Sequence, residues 1–395
     1  MASITTAQSD LKVQPAHGLQ VGRLAGLSWL HFLNDGSGNY LPGVLPAVLL
    51  SLHQSVALAG VVMGALLIGQ TLQLPCGWLA DRVGGRMFII WGMLGVSVAA
   101  CIIGVAESLL TLIPALFIIG ICSALFHPQA LVAARRLSGE RPGIGMSIFL
   151  VGGEIGRGVW PLIASFCVVL WGRESLVLLA IPALISAALL WRTLPVQTPK
   201  PRATSNPIAW RVHMPALSVL VGFQTMRALA IFGASTFLPV LWHARGRGLT
   251  DGAALITVLL VVGVIGNLAG GHLADKIDRH LILRGSSLIG MCLLALFLVC
   301  GGFWQWVCLG VLGIFLFSTQ PVGVLIGQEI FAENRSLGSG IAVGFSNGLA
   351  ALGVVILGLL VGYLTPYGVL WALVGVLGVA FLLSFSPYLY PKRSL

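Results

Sequence analysis

The first apolar segment contains two residues that could bind and release protons, His31 and Asp35, and one amide, Asn34, beside them. His31, Asn34 and Asp35 stand at positions i, i+3 and i+4, a spacing that places them on one face of a helix. Burial in a partly dry cavity favours the neutral form of a carboxyl group, so that it can exchange a proton near neutral pH. We therefore predict that Asp35 couples protons or substrate to a conformational change. The alternative is a permanent ion pair that only fixes helix packing.

A second charged pair, Glu154 and Arg157, lies three residues apart in the fifth apolar segment. Each charge at the centre of a membrane helix costs about 2.5–3.5 kcal/mol on insertion scales, and the two can neutralise each other on one helix face. One interpretation is a static pair. The other is that substrate competes for Arg157, or that protonation of Glu154 releases it.

Arg227, in the seventh apolar segment, has no acidic residue within one turn of its own helix, and Gln224 precedes it by three residues. A guanidinium stays charged and suits carboxylates and phosphates. Arg227 must therefore find a partner on another helix, reach water or bind an anion. We predict that it binds substrate.

Two further polar residues precede prolines, which lack a backbone N–H and loosen a helix locally: His127 before Pro128, and Gln320 before Pro321. For His127 a cavity role and a buried, hydrogen-bonded packing role both stay open. The predicted proton-coupling residues are Asp35, Glu154 and His127. The predicted substrate-binding residues are His31, Asn34, Asp35, His127, Glu154, Arg157, Gln224, Arg227 and Gln320.

Membrane-spanning helices must position these side chains. The 395 residues are 57% hydrophobic and 9% charged, with a mean hydropathy of +0.98, whereas soluble domains carry about 25% charged residues. Long apolar stretches can cross a hydrocarbon core of about 30 Å, and helices satisfy their backbone hydrogen bonds internally. We predict an all-α integral membrane protein with twelve spans, at about 24–50, 55–80, 87–106, 109–134, 143–170, 175–195, 213–243, 251–274, 283–302, 303–331, 337–364 and 367–389.

Other functions are disfavoured by what the sequence lacks. The net charge of +10 comes from residues at segment ends rather than from a basic patch, so we expect no nucleic-acid partner. The seven cysteines include no CxxC pair, and we expect neither disulfides nor a metal site. No Walker loop, HExxH pair or GxSxG motif occurs, so we expect no cofactor and no enzyme. The first twenty residues do not resemble a removable signal peptide.

The basic residues predict the orientation. If the N-terminus is cytoplasmic, seventeen Lys and Arg residues lie in inner segments and only three, Arg173, Arg245 and Arg247, lie in outer loops. This bias predicts that both termini are cytoplasmic.

The chain contains an internal repeat. The run 77–86, GWLADRVGGR, returns in degraded form at 271–280 as GHLADKIDRH. Pro128 and Pro321, and Gly145 and Gly338, are each 193 residues apart. A proline-rich polar stretch separates the two copies. We predict an N-terminal six-helix bundle at 1–195, a cytoplasmic linker at 196–212 and a C-terminal bundle at 213–395. Asp35 and Arg227 would occupy equivalent spans of the two bundles, and we expect them to pair.

The sequence resembles the major facilitator superfamily over nearly its whole length, because the run 77–86 is similar to the signature between the second and third helices of that superfamily. Within it, HFLND at 31–35, FHPQ at 126–129, RRLSG at 135–139 and SIFLVGG at 147–153 are similar to the fosmidomycin-resistance branch of drug exporters. Gln129, Leu150, Glu154 and Arg157 depart from that branch within the presumed cavity. The resemblance therefore implies transport without identifying a substrate.

The resemblance also implies a conformational latch. The acid of the signature docks on the start of the eleventh helix and joins the halves when such a carrier faces outward. The corresponding latch residues here would be Gly77, Asp81, Arg82, Arg86 and Asp275.

We therefore expect a secondary transporter of the bacterial inner membrane, most simply a proton-coupled antiporter for efflux of a drug or another small anionic or zwitterionic molecule. Its partners would be substrate, protons and lipid, and we expect a monomer. The alternative is a proton-coupled importer of an organic anion or a metal chelate.

Overall fold

The computed structural model describes residues 18–83, 86–192, 194, 210–274, 276–331 and 335–389. These residues form helices and short connections, with no strand among them. Ten helical stretches within this part of the chain are long and apolar enough to cross a membrane. The first span is additional, because a break shortens its helices, and a kink divides the last stretch into two spans. All twelve predicted spans are therefore present.

The first span consists of Val21–Asn39 and Leu41–Ser51, which meet at Tyr40. Pro42 lies in the first turn of the second of these helices, where its missing N–H costs nothing. The second span consists of Val56–Leu58, Ala59–Gln70 and Gln73–Val83. The third to sixth spans are Met87–Val105, Leu109–Leu137, Pro142–Trp171 and Arg173–Leu190.

The seventh to tenth spans are Trp210–Ala244, Leu249–Leu273, Arg279–Val299 and Phe303–Ile330. The eleventh begins with Arg335–Gly340, passes through a π-helical turn at Ile341–Phe345, and continues into Ser346–Leu383. That last helix is kinked at Thr365, whose φ is 60° and which precedes Pro366. The kink separates the eleventh span from the twelfth.

Successive spans are joined by very short connections at the end of the bundle away from the chain termini, which we call the distal end. The connecting residues there are 52–55, 106–108, 172, 245–248, 300–302 and 365. None of these connections exceeds four residues.

Glycines let the two sets of six spans approach closely near the distal end. A Cβ atom built on Gly60 of the second span would lie 2.4 Å from the carbonyl oxygen of Val354 and 2.6 Å from the Cα atom of Gly358, both in the eleventh span. Thr257 of the eighth span donates a hydrogen bond of 2.7 Å to the carbonyl oxygen of Gly158 in the fifth. Small residues permit such backbone contacts between membrane helices.

The predicted division into two bundles stays a prediction, and residues 195–209 of the predicted linker lie outside the described part of the chain. The seventh span begins at Trp210. Residues 210–212, which we assigned to the linker, are therefore helical.

Candidate functional site

A cavity of about 220 Å³ lies between the two sets of spans at mid-depth. Its lining comes from both sequence repeats, so a molecule bound there would contact both. Seven of the nine predicted substrate-binding residues line it: His31, Asp35, His127, Glu154, Arg157, Arg227 and Gln320.

The other two predicted binding residues are buried outside the cavity lining. Asn34 donates hydrogen bonds to Asp35 Oδ1 at 3.0 Å and to Ser123 Oγ at 3.5 Å, so it supports the carboxylate from behind. The side chain of Gln224 packs against Gly323, where a Cβ atom would lie 2.2 Å from Gln224 Nε2. Both amides thus act behind the cavity wall rather than on it.

Asp35 is the centre of a buried ionisable cluster. Its Oδ1 atom lies 3.2 Å from His127 Nε2, and its Oδ2 atom lies 3.5 Å from His31 Nε2. Arg157 Nη2 donates to Oδ2 at 3.2 Å. The side chains of His31 and Asp35 are 5% and 3% exposed. These contacts join the first, fourth and fifth spans through a single carboxylate.

Backbone carbonyl groups orient both histidine rings. His31 Nδ1 lies 2.9 Å from the carbonyl oxygen of Phe149, and His127 Nδ1 lies 2.7 Å from that of Ser123. A carbonyl oxygen only accepts hydrogen bonds, so each Nδ1 carries the proton and donates. The ring of His31 also stacks on that of Phe149, with centroids 4.2 Å apart. Both Nε2 atoms are consequently held towards Asp35.

Arg157 bridges two carboxylates. Besides its contact with Asp35, its Nη1 atom lies 3.6 Å from Glu154 Oε2, which confirms the predicted pair within the fifth span. Asp35 therefore pairs with an arginine of its own repeat. Our expectation that Arg227 would be its partner is wrong, because the rotation of the fifth span about its axis turns Arg157 towards the first span.

Arg227 has a neutral partner instead. Its Nη1 atom donates to Gln320 Oε1 at 3.4 Å, and the residue is 5% exposed. Its Nε atom has no hydrogen-bond partner among the described residues. A buried guanidinium whose contact is an amide keeps its charge available for an anion.

The cluster has a polar extension that was not predicted from the sequence. Asn39 Nδ2 donates to the backbone oxygen of Asp35 at 2.8 Å, and Gln70 Nε2 donates to Asn39 Oδ1 at 3.3 Å. Both residues line the cavity. The sequence contains a signal for Asn39, because it stands four residues after Asp35 and so lies on the same helix face. Gln70 could be found only from the packing of the second span against the first.

The departures from the fosmidomycin-resistance pattern do not all lie in the cavity. Leu150, Glu154 and Arg157 line it, as expected. Gln129 is buried outside the lining. Three of the four departures can thus affect what the cavity binds.

The structure tests only part of the predicted latch. Gly77 lies against Pro128, which is 3.4 Å from the position of an added Cβ atom. The guanidinium of Arg86 lies 5.0 Å from the ring centroid of Trp191, at the end of the sixth span. The side chains of Asp81 and Arg82, and Asp275 as a whole, fall outside the described residues. The latch stays a prediction.

Comparison with known proteins identifies the family. A family model described as Major Facilitator Superfamily matches residues 27–332. The chain is similar to an uncharacterized MFS-type transporter, YfnC, of Bacillus subtilis (strain 168), with 27% identity over 374 residues that cover 89% of this chain and 90% of the relative. It is also similar to the fosmidomycin resistance protein of Escherichia coli (strain K12), with 25% identity over 365 residues that cover 90% and 89%.

Solved structures show the same fold. A bacterial homologue of the human lysosomal transporter Spinster, in an inward-facing and occupied conformation, aligns with a TM-score of 0.72 and 18% identity, covering 93% of this chain and 96% of the other. The nucleoside transporter NupG aligns with a TM-score of 0.75 and 16% identity, covering 93% and 98%. The family model over residues 27–332, together with the helical spans, the internal repeat and the cavity between repeats, places this multi-pass membrane protein in the major facilitator superfamily of transporters.

Proposed function

We propose that this transporter couples proton movement to the export of a small anionic or zwitterionic molecule by alternating access. The observation that carries the proposal is the buried cluster of Asp35, His31, His127 and Arg157 in the wall of a cavity between the repeats. Ionisable side chains inside a membrane bundle are costly and are typical of proton and substrate pathways.

The two arginines suit an anion. Arg157 is neutralised by Glu154 and Asp35, whereas Arg227 contacts an amide. We infer that a carboxylate or phosphonate binds first at Arg227 and Gln320, on the wall opposite Asp35. Protonation of Asp35 would weaken its contact with Arg157 and strengthen the pairing of Arg157 with Glu154, so that Arg157 would be less available to the substrate.

Coupling would follow from this exchange of partners. Proton and substrate would compete for the same set of charges, so that release of one favours binding of the other. An antiporter needs this competition. The location we propose is a bacterial inner membrane with cytoplasmic termini, and the unit is a monomer.

Similarity to the fosmidomycin resistance protein favours export. The second candidate is proton-coupled import of an organic anion or a metal chelate through the same residues. The observation favouring a metal-containing substrate is that ligand atoms of His31, Asp35 and His127 lie within 4.8 Å of one another. The direction in which substrate accumulates distinguishes the proposed exporter from the proposed importer. An exporter accumulates substrate on the side from which protons enter, whereas a symporter accumulates it on the opposite side.

The test is flux in proteoliposomes with an imposed pH gradient and an internal pH-sensitive dye. A thermal-shift screen of anionic antibiotics, chelators and metabolites supplies the substrates. Substrate-dependent proton flux should be present in the wild type and absent in Asp35→Asn. The matched control is Glu329→Gln, because Glu329 pairs with Arg279 near the end of the tenth span, outside the cavity lining.

A double-mutant cycle addresses the coupling. If Asp35 and Arg157 act as a pair, then Asp35→Asn and Arg157→Gln should have non-additive effects on transport. Additive effects would contradict the exchange of partners. Proton flux that is unchanged in Asp35→Asn would contradict the proposal as a whole.

A further inference from the structure

The side chains of His31, Asp35 and His127 form a compact set of metal-ligand groups. Their ligand atoms all lie within 4.8 Å of one another, at the wall of the cavity. We propose that this cluster binds a divalent transition-metal ion, such as Zn²⁺ or Co²⁺, which enters the cavity together with an organic anion. This inference names the substrate class of the proposed carrier and differs from our sequence-based expectation of no metal site.

Both histidines are oriented as metal ligands commonly are. A ligating histidine usually donates its second ring N–H to a backbone carbonyl or a carboxylate, which fixes the tautomer. Here Nδ1 of His31 meets the carbonyl oxygen of Phe149, and Nδ1 of His127 meets that of Ser123. In the neutral rings both Nε2 atoms then carry lone pairs that face Asp35. A lone pair against a carboxylate is unfavourable unless a cation, either a proton or a metal ion, lies between them.

The two nitrogen–oxygen separations are compatible with a tetrahedral site, and all the ligand atoms lie within 4.8 Å of one another. Zinc–nitrogen and zinc–oxygen bonds of about 2.0–2.1 Å give a separation of about 3.3 Å between neighbouring ligands of a tetrahedron. The measured separations are 3.2 Å for His127 Nε2 to Asp35 Oδ1 and 3.5 Å for His31 Nε2 to Asp35 Oδ2. A small adjustment of the carboxylate would bring one oxygen to both nitrogens. Two imidazoles and one carboxylate suit Zn²⁺, Co²⁺ and Ni²⁺.

Neighbouring donors leave room on the carboxylate. Asn34 donates to Oδ1 at 3.0 Å, and Arg157 donates to Oδ2 at 3.2 Å. An ionised carboxylate offers about four lone-pair positions. Each oxygen can therefore accept one of these hydrogen bonds and still bind an ion, and Asn34 would fix the orientation of the carboxylate.

Charge balance predicts that an anion binds together with the metal ion. With neutral histidines, the two acids Asp35 and Glu154 offset the two arginines Arg157 and Arg227, so the ionisable side chains of the cavity lining sum to zero. A dication alone would leave the site at +2, which is costly in a medium of low dielectric constant. A multiply charged organic anion that ligates the metal and contacts Arg227 restores neutrality. The implied ligand is a metal complex of a small polycarboxylate or a similar chelator.

The test is Co²⁺ binding to the purified full-length protein in detergent, with an affinity tag that lacks histidine. Four-coordinate Co²⁺ has visible absorption bands that report bound nitrogen and oxygen ligands. We expect saturable binding that is weakened in His31→Gln, His127→Gln and Asp35→Asn by at least the 10- to 100-fold loss that follows removal of an outer-shell partner. The matched control is His243→Gln, which changes an exposed histidine at the end of the seventh span. Thermal unfolding of each variant checks that it folds.

A second arm tests the anion. Arg227→Gln should not weaken binding of Co²⁺ alone, because it removes a positive charge from the cavity lining, and it should weaken binding of the Co²⁺–citrate complex. No Co²⁺ binding by the wild type either alone or in the presence of citrate, or an equal loss in His243→Gln, would overturn the metal site. Equal citrate-complex binding by wild type and Arg227→Gln would overturn the paired-anion part.

Failure of this inference can be told from failure of the proposed function. Proton-coupled flux of a metal-free anion without Co²⁺ binding would overturn only the metal site. Specific Co²⁺ binding without substrate-dependent proton flux would overturn only the coupling.

Discussion

Addition of one methyl group at Gly60 should shift the conformational equilibrium of this transporter. A Cβ atom there would lie 2.4 Å from the carbonyl oxygen of Val354, whereas ordinary contact begins at 3.4 Å. The second and eleventh spans would have to separate by the difference of about 1 Å. Overpacking of this kind costs about 1–3 kcal/mol. Because the contact joins the two repeats, the cost falls on conformations in which their distal ends touch.

This free energy corresponds to a shift of roughly 5- to 150-fold in favour of conformations open at the distal end. The shift can be measured by thiol labelling in a background in which the seven natural cysteines are replaced. Ser235 lines the cavity on the seventh span, and Ser235→Cys supplies a reporter of similar size. A membrane-impermeant reagent added on the distal side should label this cysteine faster when Gly60→Ala is also present.

The matched control is Gly362→Ala. Gly362 lies in the eleventh span, which Gly60 contacts, but an added Cβ atom at Gly362 has nothing within 4 Å. Labelling should be unchanged by that substitution. Equal labelling rates with and without Gly60→Ala, in protein of normal thermal stability, would refute the argument that this contact closes the distal end. An equal increase in Gly362→Ala would refute its specificity.

Three further predictions concern other parts of the molecule. Gly153→Ala should lower transport by at least about 5-fold in a flux assay. The added Cβ atom would lie 2.4 Å from the ring of His31, and displacement of the ring costs about 1–3 kcal/mol. Normal flux would show that the position of the ring does not matter for transport. Glu329→Gln should change the free energy of unfolding by less than about 1 kcal/mol, because the side chain of Glu329 is 41% exposed. A larger change in denaturant unfolding would show that the ion pair of Glu329 with Arg279 stabilises the fold. Asp81→Ala should slow transport without changing substrate affinity, and unchanged transport at normal expression would count against a latch.

Hydropathy was sufficient to predict the spans, because the bilayer imposes length and apolarity on each helix. The break at Tyr40 was not predicted, because the apolar residues on both sides of it predict one span over about 24–50. The π-helical turn at Ile341–Phe345 also has no signature in the pattern. Such local departures depend on packing with neighbouring spans.

The candidate site was partly predictable. Contacts within one helix, such as Glu154 with Arg157 and Asp35 with His31, follow from residue spacing. Contacts between helices do not, because they depend on how each span is rotated about its axis. The choice of Arg157 over Arg227 as the partner of Asp35 is such a case. The roles of Asn34 and Gln224 behind the wall likewise depend on which side of a helix faces the cavity.

The short connections at the distal end limit how access can be controlled there. Four residues reach at most about 14 Å when fully extended, and neighbouring helix axes are already about 8–10 Å apart. No distal loop of the described chain has slack with which to cover the cavity as a lid. Occlusion on that side must therefore come from tilting of whole helices, and grafting or trimming these loops should alter assembly in the membrane rather than substrate access.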